Sequence, residues 1–222
     1  MSLTAEAIRA GHDRGAPVLD GAGIEIPRGR TIGLTGPSGA GKTTLARVCA
    51  LLHQPWSGQV HIDGVAVGRR ADAPPETRRA IAMLFQSPRQ STSPRLTLER
   101  IVAEPLALSR VPRVERAGIV RAAAARVGLT PDLLTRRPHQ VSDGQLQRAC
   151  LARALVQRPR YLICDEMTAM LDPATTAALV AVLREETRTG LGVLAVSHDH
   201  ALLEVWADDV VELPLTGAAR TP

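Results

Sequence analysis

The sequence predicts an α/β fold whose core is interrupted by a mostly helical insert. Three observations carry that prediction. An apolar stretch, Thr31-Ile32-Gly33-Leu34-Thr35, passes through a glycine-rich turn into a helical pattern over 45–52. A second apolar run, Tyr161-Leu162-Ile163-Cys164, is closed by Asp165-Glu166, as a buried strand delivering acids to its end would be. Between them, from about 87 to 158, proline-punctuated loops give way to helical patterns.

Taken in order, Pro17-Val18-Leu19 and Ile24-Glu25-Ile26 read as short strands separated by glycine turns. Residues 58–64 alternate like a strand ending in a turn, and 80–85 form another strand that runs into Gln86. Helices are expected over 98–108, 114–127 and 144–156, then 174–187, with a strand over 192–196. The expected organisation is one domain over 1–213, its core in 1–86 and 159–213 and its helical part in 87–158. The tail, 214–222, contains proline and glycine and is expected to be disordered.

Composition narrows the function classes. With 45% apolar residues and only 2% aromatics, Ala, Val and Leu must supply most of a substantial core. A net charge of +5 raises the question of a nucleic-acid partner. The basic residues, however, are scattered in short doublets such as Arg69-Arg70 and Arg136-Arg137, with almost no aromatics to stack on bases. Cys49, Cys150 and Cys164 are widely separated in apolar surroundings and read as buried small hydrophobes rather than metal ligands. No apolar run approaches the ~20 residues a membrane helix needs, and the N-terminus does not resemble a signal peptide.

The glycine-rich turn is Gly36-Pro37-Ser38-Gly39-Ala40-Gly41-Lys42-Thr43-Thr44, which fits G-x-x-x-x-G-K-[ST] at every fixed position. Glycines let the backbone curl so that its N–H groups face a phosphate, and the helix start adds a dipole favourable to anions. Lys42 is the only lysine among 27 basic side chains, and a compact ammonium suits the β- and γ-phosphates. Thr43 offers a hydroxyl to Mg²⁺. Asp165, at the end of its strand, can hold Mg²⁺ through water, and Glu166 can orient or deprotonate an attacking water. Adjacent acids also occur at ordinary solvated strand ends; the P-loop beside them favours the chemical reading.

Val141-Ser142-Asp143-Gly144-Gln145-Leu146-Gln147-Arg148 opens a further helix, with Ser142 as its N-cap. Together with the P-loop, Gln86, Asp165-Glu166, Met170-Leu171-Asp172 and Ser197-His198-Asp199, in that order, it resembles the ATPase subunit of an ABC transporter, whose signature is L-S-G-G-Q. The resemblance implies a P-loop NTPase fold of the ABC ATPase type. Such a fold has a RecA-like core, an antiparallel β subdomain and an inserted helical subdomain. It implies ATP and Mg²⁺ as cofactors and a head-to-tail pair of cassettes, identical or homologous, that sandwich two ATP molecules. Gly36 to Thr44 would grip one ATP, while Ser142, Gly144 and Gln145 would address the ATP of the partner. Gln86 would couple Mg²⁺ and the attacking water to the helical lobe, and Asp172 would cross the interface. His198, by itself an ordinary surface histidine, would contact the γ-phosphate and orient Glu166.

The family also stacks an aromatic on adenine. No Phe, Tyr or Trp precedes Trp56, and His12 is nearest that position, as a stacking imidazole or as a simple loop residue. Two residues depart from the pattern: Asp143 replaces the first signature glycine, and Met167 stands where proline usually follows the glutamate. The run Gln86-Ser87-Pro88 to Ser93-Pro94-Arg95, followed by Glu104-Pro105-Leu106, resembles the peptide and nickel importers. That branch implies membrane permease subunits, a solute-binding protein as an indirect partner, a peripheral location on the cytoplasmic face of the membrane, and no direct nucleic-acid contact. The alternative is a soluble ABC ATPase acting on nucleic acid or ribosomes. A single cassette without zinc-spaced cysteines speaks against it.

Overall fold

A computed structural model describes residues 1–11, 15–68, 73–169 and 171–214. Two sheets form the frame. An antiparallel sheet has the order β2-β1-β4-β5, built from β1 (Ser2–Ala10), β2 (Leu19–Pro27), β4 (Ser57–Ile62) and β5 (Val65–Val67). A parallel sheet has the order β6-β7-β8-β3-β9, built from β3 (Thr31–Thr35), β6 (Ile81–Leu84), β7 (Tyr161–Asp165), β8 (Gly192–Val196) and β9 (Asp209–Glu212).

Every residue of β3, β7 and β8 is buried, the pattern of central parallel strands covered on both faces. Alternation then divides the interior. Leu162, Cys164, Val193 and Ala195 face one core with Leu98, Ile101, Leu146 and Leu151. Ile163, Leu194 and Val196 face another with Leu3, Ile26, Leu45 and Val48. The parallel sheet is thus the wall between the two.

The helices follow their end signals. α1 (Lys42–Cys49) starts at the P-loop and packs on β1, β7 and β8. α2 (Pro75–Arg79) is a short helix opened by proline. α3 (Leu98–Leu108) is capped by Thr97, and α4 (Arg113–Arg126) follows Pro112. After α5 (Pro131–Leu134) and a 3-10 turn at Pro138–Gln140 comes α6 (Asp143–Leu155), which packs on α3 and α4. α7 (Pro173–Arg188) and α8 (His200–Trp206) are capped by Asp172 and Asp199.

One expectation is corrected. The two short strands expected at 17–19 and 24–26 are one strand, β2, preceded by Pro17 and Val18. Gly21 does not break it: at φ +75° it sits in a strand that pairs with β1 from Ser2↔Pro27 to Ala10↔Leu19, with register shifts absorbing the irregularity. The three cysteines are buried as expected. His12, Met170 and residues 215–222 of the expected tail lie outside the described residues.

Candidate functional site

Because its strands are parallel, this sheet places the C-terminal ends of β3, β6, β7 and β8 along one edge, where open α/β sheets bind ligands. β3 leads into the P-loop. Gly36 and Gly41 adopt φ +141° and +94°, and both are sterically fixed. A Cβ on Gly36 would come within 2.5 Å of the Leu213 carbonyl oxygen, and one on Gly41 within 2.6 Å of Leu19 Cδ2. Lys42, only 5% exposed, folds its ammonium back onto the loop. Its Nζ donates to the carbonyls of Gly36 at 2.8 Å and Pro37 at 2.9 Å. Burial lowers its pKa, while the Glu166 and Asp165 charges oppose that shift.

Asp165 ends β7 and accepts a hydrogen bond from Thr43 Oγ1 at 3.1 Å. Burial raises its pKa; the Thr43 hydrogen bond opposes the rise and the neighbouring Glu166 adds to it. Glu166 takes a left-handed backbone, φ +48°, and its N–H donates to the Val196 carbonyl at 3.0 Å. A bulky non-glycine residue there is strained. Two groups hold its carboxylate: Gln86 Nε2 donates to Oε2 at 3.0 Å, and His198 Nε2 is 2.8 Å from Oε1. Met167, the other departure from the family pattern, is buried in the core shared with α6.

Lys42, Thr43, Thr44, Ser38, Glu166 and His198 line one cavity of about 380 Å³. Val18 lines it too, and no motif points to that residue. A larger cavity, about 870 Å³, lies beside it between α7 and α8 and shares Glu166 and His198. Its walls are mostly apolar, whereas the smaller one carries the ammonium of Lys42 and the hydroxyls of the P-loop. A further tie missed in the sequence joins this edge: Thr35 Oγ1 lies 3.2 Å from His200 Nε2, connecting the strand before the P-loop to α8.

Ser142, Gly144, Gln145 and Asp172 do not line the P-loop cavity. Ser142 and Gln145 form a capping box on α6: Gln145 N–H donates to Ser142 Oγ at 3.2 Å, and Ser142 N–H donates to Gln145 Oε1 at 3.0 Å. A Cβ on Gly144 would meet Thr175 Cγ2 at 3.0 Å, so the turn packs against the start of α7. Asp172 caps α7, accepting from the Thr175 N–H at 2.9 Å and the Thr175 hydroxyl at 2.6 Å. These bonds lower its pKa. Asp143 pairs with Arg89, whose Nε lies 2.7 Å from Oδ1.

Among the described residues no cluster of three His, Cys, Asp or Glu side chains forms a metal site. Beside the P-loop, Thr43 and Asp165 offer a hydroxyl and a buried carboxylate, and Gln86, bonded to Glu166, offers an amide; oxygen donors of this kind suit Mg²⁺, a cation that keeps several of its waters.

A sequence profile described as ABC transporter matches residues 19–169, the stretch that carries the P-loop, the signature turn and Asp165-Glu166. The chain belongs to the ABC transporter family. Among other ABC proteins, the oligopeptide transport ATP-binding protein OppF of Salmonella typhimurium is 38% identical over 207 residues, covering 91% of this chain and 62% of its own length. The di/tripeptide transport ATP-binding protein DppF of Pseudomonas aeruginosa is 37% identical over 202 residues, covering 89% and 62%. The chain therefore spans less than two thirds of the length of these relatives. The fold matches the ATP-binding cassette MJ0796, solved as a dimer in a post-hydrolysis state with ADP and Pi, at a TM-score of 0.85 and 24% identity, covering 96% of each chain. The ABC ATPase architecture expected from the sequence is therefore the one observed. Among the described residues of this ABC cassette, no helix is long and apolar enough to cross a membrane.

Proposed function

We propose that this cassette binds ATP and hydrolyses it to energise a membrane importer of peptides. The observation that carries the reading is the Glu166 carboxylate, held between Gln86 and His198 at the cavity of the P-loop. Lys42 exchanges the carbonyls of Gly36 and Pro37 for phosphate oxygens, and residues 36–44 cradle the triphosphate. Glu166 accepts the proton of the attacking water at a carboxylate oxygen; Gln86 and His198 fix the angle at which it does so. Thr43, Gln86 and Asp165 would hold Mg²⁺, which would supply positive charge at the phosphate oxygens.

Ser142, Gly144, Gln145 and Asp172 lie apart from this cavity, which supports their serving the ATP of a second cassette, identical or homologous. MJ0796, a cassette of the same fold, has a dimeric structure, which supports the pairing of two cassettes. The oligopeptide and di/tripeptide names of the relatives favour peptides over nickel. In this reading residues 1–213 form one domain, with 1–86 and 159–213 as its core and 87–158 as its helical lobe. It sits on the cytoplasmic face of the membrane, against permease subunits fed by a solute-binding protein.

The test is Glu166→Gln. Steady-state hydrolysis should fall about 10²- to 10⁴-fold while ATP binding persists and an ATP-dependent dimer accumulates. Unchanged turnover removes Glu166 as the base. Uptake by the cassette assembled with its permease in vesicles, offered peptides or Ni²⁺ in parallel, decides the solute.

A further inference from the structure

Asp143 is the residue that ought to harm this cassette. It stands at the first position of α6, where the helix N-terminus favours anions, and its carboxylate would meet any phosphate brought to the signature turn. Arg89 meets the turn with all three guanidinium nitrogens, one of them at the Asp143 carboxylate. Nε lies 2.7 Å from Asp143 Oδ1, Nη1 donates to the Pro138 carbonyl at 2.8 Å, and Nη2 donates to the Val141 carbonyl at 3.2 Å. One planar fork thus reads both the charge and the backbone of the turn, which a lysine cannot do.

The pair is also tied to the segment that carries Gln86. From α6, Gln147 Nε2 donates to the Phe85 carbonyl at 3.4 Å and Arg153 Nη1 donates to the Ser91 carbonyl at 2.8 Å. Gln147 is 1% exposed, and its bond to Phe85 is part-buried. The Asp143 and Arg89 side chains, in contrast, are 38% and 46% exposed. A half-exposed ion pair adds little to folding stability, so its main consequence lies in the charge that an incoming phosphate meets.

We propose that Arg89 is a positioning residue of the signature turn. Its bonds to the Pro138 and Val141 carbonyls hold the guanidinium in place, and from there it neutralises Asp143, so that the turn can receive the triphosphate of a second cassette. This rests on the two-cassette reading above. It makes Arg89 and Asp143 a compensating pair: the carboxylate is tolerated only with the guanidinium in place.

A double-mutant cycle tests it. Arg89→Ala should raise the KM for ATP about tenfold with little change in kcat. The same change in an Asp143→Gly background should raise KM less than about twofold, because no charge remains to be uncovered. Arg89→Lys, which keeps the charge but not the fork, should fall between wild type and Arg89→Ala. The midpoint of thermal unfolding should be nearly the same for all variants, which separates the effect from loss of fold. If Arg89→Ala is equally harmful with glycine at 143, Arg89 merely braces the backbone and the proposal is overturned. If Arg89→Ala leaves KM at the wild-type value, it is overturned as well. Failure of the two-cassette reading shows separately: Glu166→Gln with an intact Arg89–Asp143 pair would then form no ATP-dependent dimer.

Discussion

His198 Nε2 stands 2.8 Å from Glu166 Oε1, so the end of β8 grips the acid presented by the end of β7. Gln86 grips the other oxygen from beyond β6. A strained left-handed residue persists only where its surroundings hold it, and these two contacts join the N–H bond to Val196 in doing so. His198→Ala should lower kcat roughly 10- to 100-fold while ATP binding stays near wild type. Steady-state kinetics alongside equilibrium nucleotide binding measure both. A change confined to KM would place His198 in ground-state binding instead.

Lys42 donates to two loop carbonyls at 2.8 and 2.9 Å, so the ammonium is prepositioned. Lys42→Ala should weaken ATP binding by at least about tenfold, the loss of one charge-assisted contact. Lys42→Arg should also bind poorly, since a planar guanidinium cannot occupy the same buried spot. Titration with a fluorescent nucleotide reports the affinities; wild-type affinity in Lys42→Ala would remove the lysine from the site.

Asp165 carries a carboxyl whose folded pKa is raised by burial. Between its unfolded and folded pKa values the folded chain holds more protons than the unfolded one, so stability falls as pH rises through that interval. Asp165→Asn removes this cost. Without nucleotide, its unfolding midpoint at neutral pH should exceed that of wild type by a few degrees, about 2–4 °C for each kcal/mol, and vary less with pH. Added Mg²⁺ and ATP should raise the midpoint of wild type more than that of Asp165→Asn. The reverse order in the apo proteins would contradict the burial account.

The thiols make a chemical prediction. Cys49 is fully buried and its pKa is pushed up to about 12 by desolvation, and burial raises Cys150 and Cys164 as well. A thiolate reagent at pH 8 should modify none of the three in the folded chain and all three after denaturation. Ellman titration counts them directly.

Most elements of the parallel sheet and the helices behind it were legible because uninterrupted apolar runs and helical periodicity mark them. β1 and β2 were less so. Glycines at 21 and 23 imitate turns, and only pairing with β1 turns that stretch into one strand. β9 escaped because all four of its residues are exposed, leaving no alternation to detect. The grouping of Lys42, Thr43, Asp165, Glu166, Gln86 and His198 followed from motif order. Val18, the Thr35–His200 tie and the Arg89–Asp143 pair did not, since each depends on loops brought together by packing between distant segments.

The isolation of Lys42 gives this protein a property most proteins lack. It holds the only side-chain amine of the chain; burial lowers the pKa of that amine, and two loop carbonyls accept its protons. Acylation of a side-chain amine, whether by a reagent or by an enzyme, therefore has a single target, and that target lies in the P-loop.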